Sequence, residues 1–286
     1  MKQKHPMSNT LFGAAAAVAV MGIATTIAMA TEPCGDFEEC KVLIEINSTD
    51  GDIGFHFLMD SDGLNSARIR DPNGTKVFQD KAEGPLREQK LTETFAESAE
   101  PVCKDALKEE EDDEVVTLED FVERWAAGFY VFTGSGDEGE KLEGESELTH
   151  EIPAAPDLTS GSLGFDGSVI SWDAGDDLGE CATNAELDDL FTAGVLPVHP
   201  EDVDVAAWEI VFEPDVDDGN PLGKLKFTIR VAGDIAPKKV TVPAEYLAHL
   251  PADTPAKFEV GAIGADDNAT FTEVGDICVN KVDGCQ

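Results

Sequence analysis

Short β-branched runs separated by tight turns recur along this chain, and their spacing constrains the fold more than any other feature. Lys41-Val42-Leu43-Ile44-Glu45-Ile46 is the first run, and Asp50-Gly51-Asp52 punctuates it. Gly54-Phe55-His56-Phe57-Leu58-Met59 follows, with a turn expected at Asp60-Ser61-Asp62-Gly63. Ala67-Arg68-Ile69-Arg70 leads to Asp71-Pro72-Asn73-Gly74, where proline presets φ and Asn-Gly supplies positive φ. Thr75-Lys76-Val77-Phe78 resumes the strand pattern. Runs this short, with turns about every eight to twelve residues, imply a mainly β chain of sandwich type.

Two helices are expected to interrupt the first half. One spans 85–98, where Leu91 and Phe95 stand four apart. The other starts at Thr117: Thr117 with Asp120 resembles a capping box, and Leu118, Phe121, Val122 and Trp125 share one helical face. Gly128 is placed to end it. The acidic stretch 108–114 between them reads as a solvated loop. Strand patterns return at 129–132 and 142–148. Pro153-Ala154-Ala155-Pro156 then offers a linker, because paired prolines forbid helix. The expected organisation is a leader at 1–30, a β-rich domain with helices at 31–152, and a second domain at 157–286.

The second half carries a more specific pattern. Val169-Ile170-Ser171-Trp172-Asp173 is a strand bearing a tryptophan, and 207–212 and 225–231 both alternate. Lys239-Val240-Thr241-Val242-Pro243 follows, then Leu250-Pro251, Thr254, and the run from Lys257 to Ile263 before a polar turn at 264–268. This order resembles a fibronectin type III domain over 157–280. The resemblance implies that Trp172 is the core tryptophan of the second strand and Leu250 the leucine before the sixth. It also puts Val260 and Ala262 in that sixth strand. Ala256 stands where the family carries a tyrosine, so its tyrosine corner is absent. An insertion at 175–204 contains Cys181 and a short helix at 185–191. The first half resembles exported bacterial β modules of no defined family.

The chain ends and the charge bear on location and partners. Lys2 and Lys4 precede an apolar stretch at 11–29, and Ala28-Met29-Ala30 presents a signal-peptidase pattern, so cleavage after Ala30 is expected. Thr31-Glu32-Pro33 before Cys34 is no lipobox, and no second apolar run follows. The mature protein is therefore expected in the periplasm or outside the cell, without membrane insertion. Cleavage leaves 18 Lys and Arg against 59 Asp and Glu. Such a field repels nucleic acid and anionic membranes and attracts cations and basic groups.

Six cysteines (Cys34, Cys40, Cys103, Cys181, Cys278 and Cys285) remain in the mature chain, which in an exported protein implies disulfides. Three fall on each side of 153–156. Either one bridge crosses that segment or one thiol on each side stays free. The favoured pairing joins Cys181 to Cys278 or Cys285; a local Cys278–Cys285 loop is the alternative.

Catalytic signatures are missing from the sequence. Ser160-Gly161-Ser162-Leu163-Gly164 lacks the first glycine of a nucleophile elbow. His150-Glu151 is followed by Ile152-Pro153-Ala154, which breaks the zinc-protease pattern. His56, His150, His199 and His249 share no motif and read as surface or satisfied residues. Calcium is the one cofactor suggested, since carboxylate-rich turns supply hard oxygens. Asp60, Asp62, Asn65 and Asp71 form one irregular candidate, Asp215, Asp217 and Asp218 with Asn220 a second, and Asp266, Asp267 and Asn268 a third. The expectation is a noncatalytic exported binding or architectural protein with an unknown protein or glycan ligand. The alternative is a secreted hydrolase, or its carbohydrate-binding accessory, with a site in the groove between the halves.

Overall fold

The structure, a computed structural model, describes residues 34–285 apart from 109, 112, 159–163 and 218. The leader and its cleavage point, the near-miss elbow at 160–163 and the calcium candidate Asp218 lie outside the described residues.

In the first half, β1 (Glu39–Asn47) and β2 (Asp52–Arg70) form a hairpin. Val42, Ile44 and Ile46 alternate with half-exposed neighbours and enter the core. Asn47 Oδ1 accepts from the N–H groups of Thr49 and Asp50, and Gly51 takes φ 74°, a conformation side chains resist. β3 (Lys76–Lys81), α1 (Gly84–Gln89) and β4 (Leu91–Glu97) follow. The turn expected at Asp60-Ser61-Asp62-Gly63 does not form. β2 runs through it for 19 residues, because β4 pairs beyond both its ends, with Asp60 opposite Glu93 and Leu64 opposite Leu91. Ladder bonds and burial of Ser61 and Leu64 outweigh the local preference, which survives as an irregularity in the pairing.

The helix expected at 85–98 stops at Gln89, and Leu91 and Phe95 lie in β4 instead. Two apolar residues four apart were too thin a signal against Thr92, Thr94 and a free strand edge. α2 (Leu118–Arg124) forms where expected, with Thr117 Oγ1 accepting from Asp120 N at 3.2 Å and Leu118, Phe121 and Val122 buried. It ends at Arg124; Gly128 opens β5 (Gly128–Gly136), which pairs with β6 (Lys141–Leu148).

The second half adds, in chain order, β7 (Gly164–Asp166), β8 (Val169–Ser171), α3 (Asn184–Ala193), β9 (Val205–Pro214) and β10 (Phe227–Ala232). β11 (Lys239–Thr241), α4 (Ala244–His249), β12 (Thr254–Gly264) and β13 (Ala269–Val279) complete it. Three strands form a small sheet in the order β11-β8-β7, facing four in the order β10-β9-β12-β13. Ile170 and Trp172 from one side meet Trp208, Ile210, Phe212 and Phe258 from the other. Trp172 is 1% exposed, with its ring 5.9 Å from that of Trp208. Without a tyrosine corner, Tyr246 on α4 supplies another tie: its hydroxyl lies 2.8 Å from the Leu225 carbonyl and 3.1 Å from that of Phe212.

The protein is mainly β, with one large sheet and a small second one. The large sheet crosses both halves, since β13 pairs in parallel with β1 through Glu45–Ala269 and Asn47–Phe271 in the path β10-β9-β12-β13-β1-β2-β5-β6. The segment 153–156 is buried beside this joint, where Thr270 and Thr272 donate to the Pro153 and Pro156 carbonyls at 2.6 and 2.9 Å. The insertion at 175–204 packs Leu178, Cys181, Ala182, Leu187 and Leu196 into the core of the first half.

The disulfides are Cys34–Cys40, Cys103–Cys181 and Cys278–Cys285. One bridge crosses 153–156, but it is not the favoured one: Cys181 pairs with Cys103 because the insertion folds onto the first half, and Cys278 closes locally with Cys285.

Candidate functional site

One face of the large sheet is apolar and packed. Strand alternation turns the other side chains of β1, β2, β9, β12 and β13 to a polar face. On β1 and β2 the register sets Glu45 opposite Gly54, Asn47 opposite Asp52 and Leu43 opposite His56. Asp52, Gly54 and His56 are alternate residues of β2, so they share that face. Across the joint, Phe271 and Glu273 of β13 stand opposite Gly261 and Glu259 of β12, and Gly261 stands opposite Glu209 of β9. Gly261 leaves room for the Phe271 ring, whose nearest atom lies 2.4 Å from where a Cβ would stand. A cleft of about 190 Å³ opens here, lined by Glu45, Asn47, Asp52, Glu100, Glu259, Phe271 and Glu273. A second, of about 470 Å³, adjoins it through the shared Asp52 and Glu100.

Charge is distributed unevenly over this face. At the β9–β12 end, Lys257 Nζ lies 2.7 Å from Glu273 and 3.9 Å from both Glu213 and Glu259, and Arg230 holds Glu209 at 2.8 Å. At the β1–β2 end, Glu45, Asp52, Glu97 and Glu100 form no ion pair with Lys or Arg among the described residues. Burial pushes Glu45 up to about 7, and like charge from Glu100, Glu209, Glu259 and Glu97 adds to it. Burial, then Glu100 and Asp50, push Asp52 up to about 6. Like charge is part of what raises Glu45 and Asp52, so a cation arriving in the cleft relieves that repulsion and favours their ionised forms.

His56 does not line the cleft but is buried against Glu45 and Glu100, which do. Its side chain is 7% exposed, and its Nε2 makes no hydrogen bond. Glu100 Oε1 is 3.6 Å from Nε2, and Glu45 Oε2 is 4.0 Å from Nδ1. The Phe95 ring meets the imidazole edge-on at 5.8 Å, and Glu97 stands opposite His56 on β4. The other histidines behave as the sequence suggests: His150 and His249 bond backbone carbonyls at 2.9 and 2.6 Å, and His199 lies against Phe191. His56 does not, being buried and unsatisfied.

The residues singled out from sequence lie elsewhere. Asp60 and Asp62 stand within β2 beside Glu38, whose carboxyl is raised by the charge of Asp62 and a hydrogen bond to it. Asn65 donates to the Gly136 carbonyl at 2.6 Å. Asp71 caps its own turn, accepting from Thr75 N at 2.6 Å. Ten residues of β2 lie between Asp60 and Asp71, roughly 35 Å of extended contour, so the strand does not bring the two together. Asp215 and Asp217 lie in the connection after β9, where the Asp215 N–H reaches the Pro255 carbonyl and Asp217 O accepts from Asn220 N. Asn220 Oδ1 accepts from Leu222 N. In the third candidate, Asn268 is a buried clamp: its Oδ1 accepts from Ile44 N at 2.8 Å, and its Nδ2 lies within 3.3 Å of the Thr149 and Glu151 carbonyls. Burial, above all, raises neighbouring Asp266 to about 6. The cleft itself went unread because its residues are far apart in sequence. Pairing the run at 41–46 with that at 54–59 was the available signal, since it puts Glu45 and His56 on one face.

No family model matches the chain, and no curated protein matches it. Among similar solved structures is a tetra-tandem repeat from the extending region of a large adhesion protein. It has a TM-score of 0.24 and 9% identity, covering 84% of this chain and 49% of that one. Another comes from work on host cell surface retention of a 1.5-MDa bacterial ice-binding adhesin, with a TM-score of 0.20 and 11% identity, covering 86% of this chain and 65% of that one. This chain thus spans under two thirds of either. Superpositions this poor say nothing about its role. No helix among the described residues is long and apolar enough to cross a membrane.

Proposed function

We propose that this chain is an exported, noncatalytic binding and architectural protein whose binding surface is the acidic cleft, which takes a cation or a cationic group of its partner. The observation that carries the reading is the unbalanced charge at the β1–β2 hairpin of a continuous sheet: Glu45, Asp52, Glu97 and Glu100 gather there without a Lys or Arg partner among the described residues. Strands hold the backbone of Glu45, Asp52 and Glu97, and Glu100 follows on the connection after β4, so little backbone ordering is needed to assemble the surface. Three further features support export and the architectural part. They are the leader pattern, the paired cysteines, and the second half's strands set three against four around Trp172, which suits a fibronectin type III-like module.

Titrating the mature protein with a short oligolysine peptide at low salt and pH 8 tests this. Glu45→Gln/Glu100→Gln should weaken binding at least tenfold, whereas Glu119→Gln/Glu123→Gln on α2 removes the same charge with little effect. Equal losses from both pairs would reduce the cleft to part of a general acidic field. Turnover of a glycan, ester or peptide substrate by the mature protein would overturn the noncatalytic reading.

A further inference from the structure

We infer that Glu45, His56 and Glu100 form a site for a first-row transition-metal dication of the zinc class where two carboxylates of the cleft meet a buried imidazole, an inference that rests on the cleft being a cation-binding surface. The three residues each bring one ligand atom to within 4.8 Å of the others. A carboxylate cluster alone would be an ordinary feature of a chain this acidic. The imidazole distinguishes this one. His56 is more than nine-tenths buried and leaves Nε2 without a hydrogen bond, an arrangement that costs free energy unless something fills it. The nearest acceptor, Glu100 Oε1 at 3.6 Å, is too far for a hydrogen bond. It is well spaced for two donors on one ion, since ligands about 2.1 Å from a tetrahedral zinc stand roughly 3.4 Å apart.

Room for the ion is built into the backbone. Gly54 has Glu45 as its cross-strand neighbour and precedes His56 by two residues, so it forms the floor between the ligands. A Cβ on Gly54 would stand 2.9 Å from His56 Nε2, 3.1 Å from Glu100 Cγ and 3.2 Å from Glu100 Oε1. Glycine therefore keeps open the space that a larger residue would close. The half-exposed Glu45 and Glu100 side chains can tighten around an ion, while His56 is held by β2 and by the Phe95 edge. The donor set selects the metal class. Calcium takes six to eight hard oxygens, whereas one imidazole with two carboxylates suits zinc and its first-row neighbours. A protonated His56 bridging the two carboxylates is the competing arrangement.

Isothermal titration of the metal-stripped mature protein with ZnCl2, and separately with CaCl2, at pH 7.5 tests the site. One zinc per chain is expected, with affinity at least tenfold weaker in both His56→Asn and Gly54→Ala. Calcium should give no saturable binding that depends on His56. Proton uptake or release, read from two buffers of different ionisation heat, adds a signature: zinc binding should displace protons. Zinc affinity unchanged in both variants, or calcium displacing zinc one for one, would overturn the site and leave the protonated ion pair. If His56→Asn fails to fold by near-ultraviolet circular dichroism, Glu100→Gln replaces it. The oligolysine titration separates this inference from the reading beneath it. Peptide bound with no zinc uptake defeats the metal site alone, and loss of both defeats the cleft.

Discussion

Glu45 shows how a single residue on a sheet face can cost stability where the proposed cleft needs it. Its carboxyl rises to about 7, first through burial and then through Glu100, Glu209, Glu259 and Glu97, with His56 the other titratable group against it. An acid raised in the folded state binds more protons there than in the unfolded chain. Its stabilising contribution is therefore present below the unfolded value, near 4.5, and is lost as pH rises through about 7. Asp52, raised to about 6, acts in the same direction over a lower window. In chelator-treated protein, Glu45→Gln should raise Tm at pH 8 by about 2–4 °C, the shift that ~1 kcal/mol gives a chain of this size once partial exposure is discounted. At pH 4.5 it should change little. A Tm difference that grows as pH falls would reverse the sign and refute the argument. None of this was visible along the chain, because it depends on which strand lies beside which: Glu45, His56 and Glu100 come together only once β1, β2 and the connection after β4 are in place.

Elements were legible where local pattern and tertiary pairing agree. β1, β9, β11 and β12 follow the alternating runs closely, α2 starts at its threonine cap, Thr117, and α3 covers the helix expected at 185–191. Legibility failed where a strand partner overrode local chemistry. The Asx-rich stretch at Asp60 to Gly63 lies inside β2, and 91–95 became β4. The insertion helix was readable, but its docking was not, since nothing in α3 names the surface that Leu187 meets. In the second half the small sheet stands on very short strands, so its attachment depends on the core. Trp172 supplies much of it, facing Trp208 with 1% exposure. Trp172→Ala should cost about 3–5 kcal/mol in urea denaturation. An unchanged midpoint would mean that the two sheets do not enclose it.

At the scale of the whole molecule, three connections make one body of two halves. The β1–β13 ladder is short, the 153–156 segment lies buried beside it, and the insertion reaches back into the first core. Cys103–Cys181 secures the third of these, over a sequence separation of 78. The odd count of cysteines on each side of 153–156 made a crossing bridge one of two outcomes, but choosing its ends required the fold. Lys104 and Glu186, 2.9 Å apart, flank the bridge, and hydrogen bonds from Lys104 and then Thr183 hold the Glu186 carboxyl down at about 2. In the chain-entropy model, closing a loop of this length restricts the unfolded state by about 4–5 kcal/mol, whereas the Cys278–Cys285 loop restricts it by about 2. Cys103→Ser/Cys181→Ser should therefore lower stability by roughly twice as much as Cys278→Ser/Cys285→Ser. Chemical denaturation of both pairs measures the difference, with nonreducing peptide mapping of the parent protein fixing the linkages. Equal losses, or a recovered peptide joining Cys181 to Cys278, would show that the insertion is not fastened to the first half.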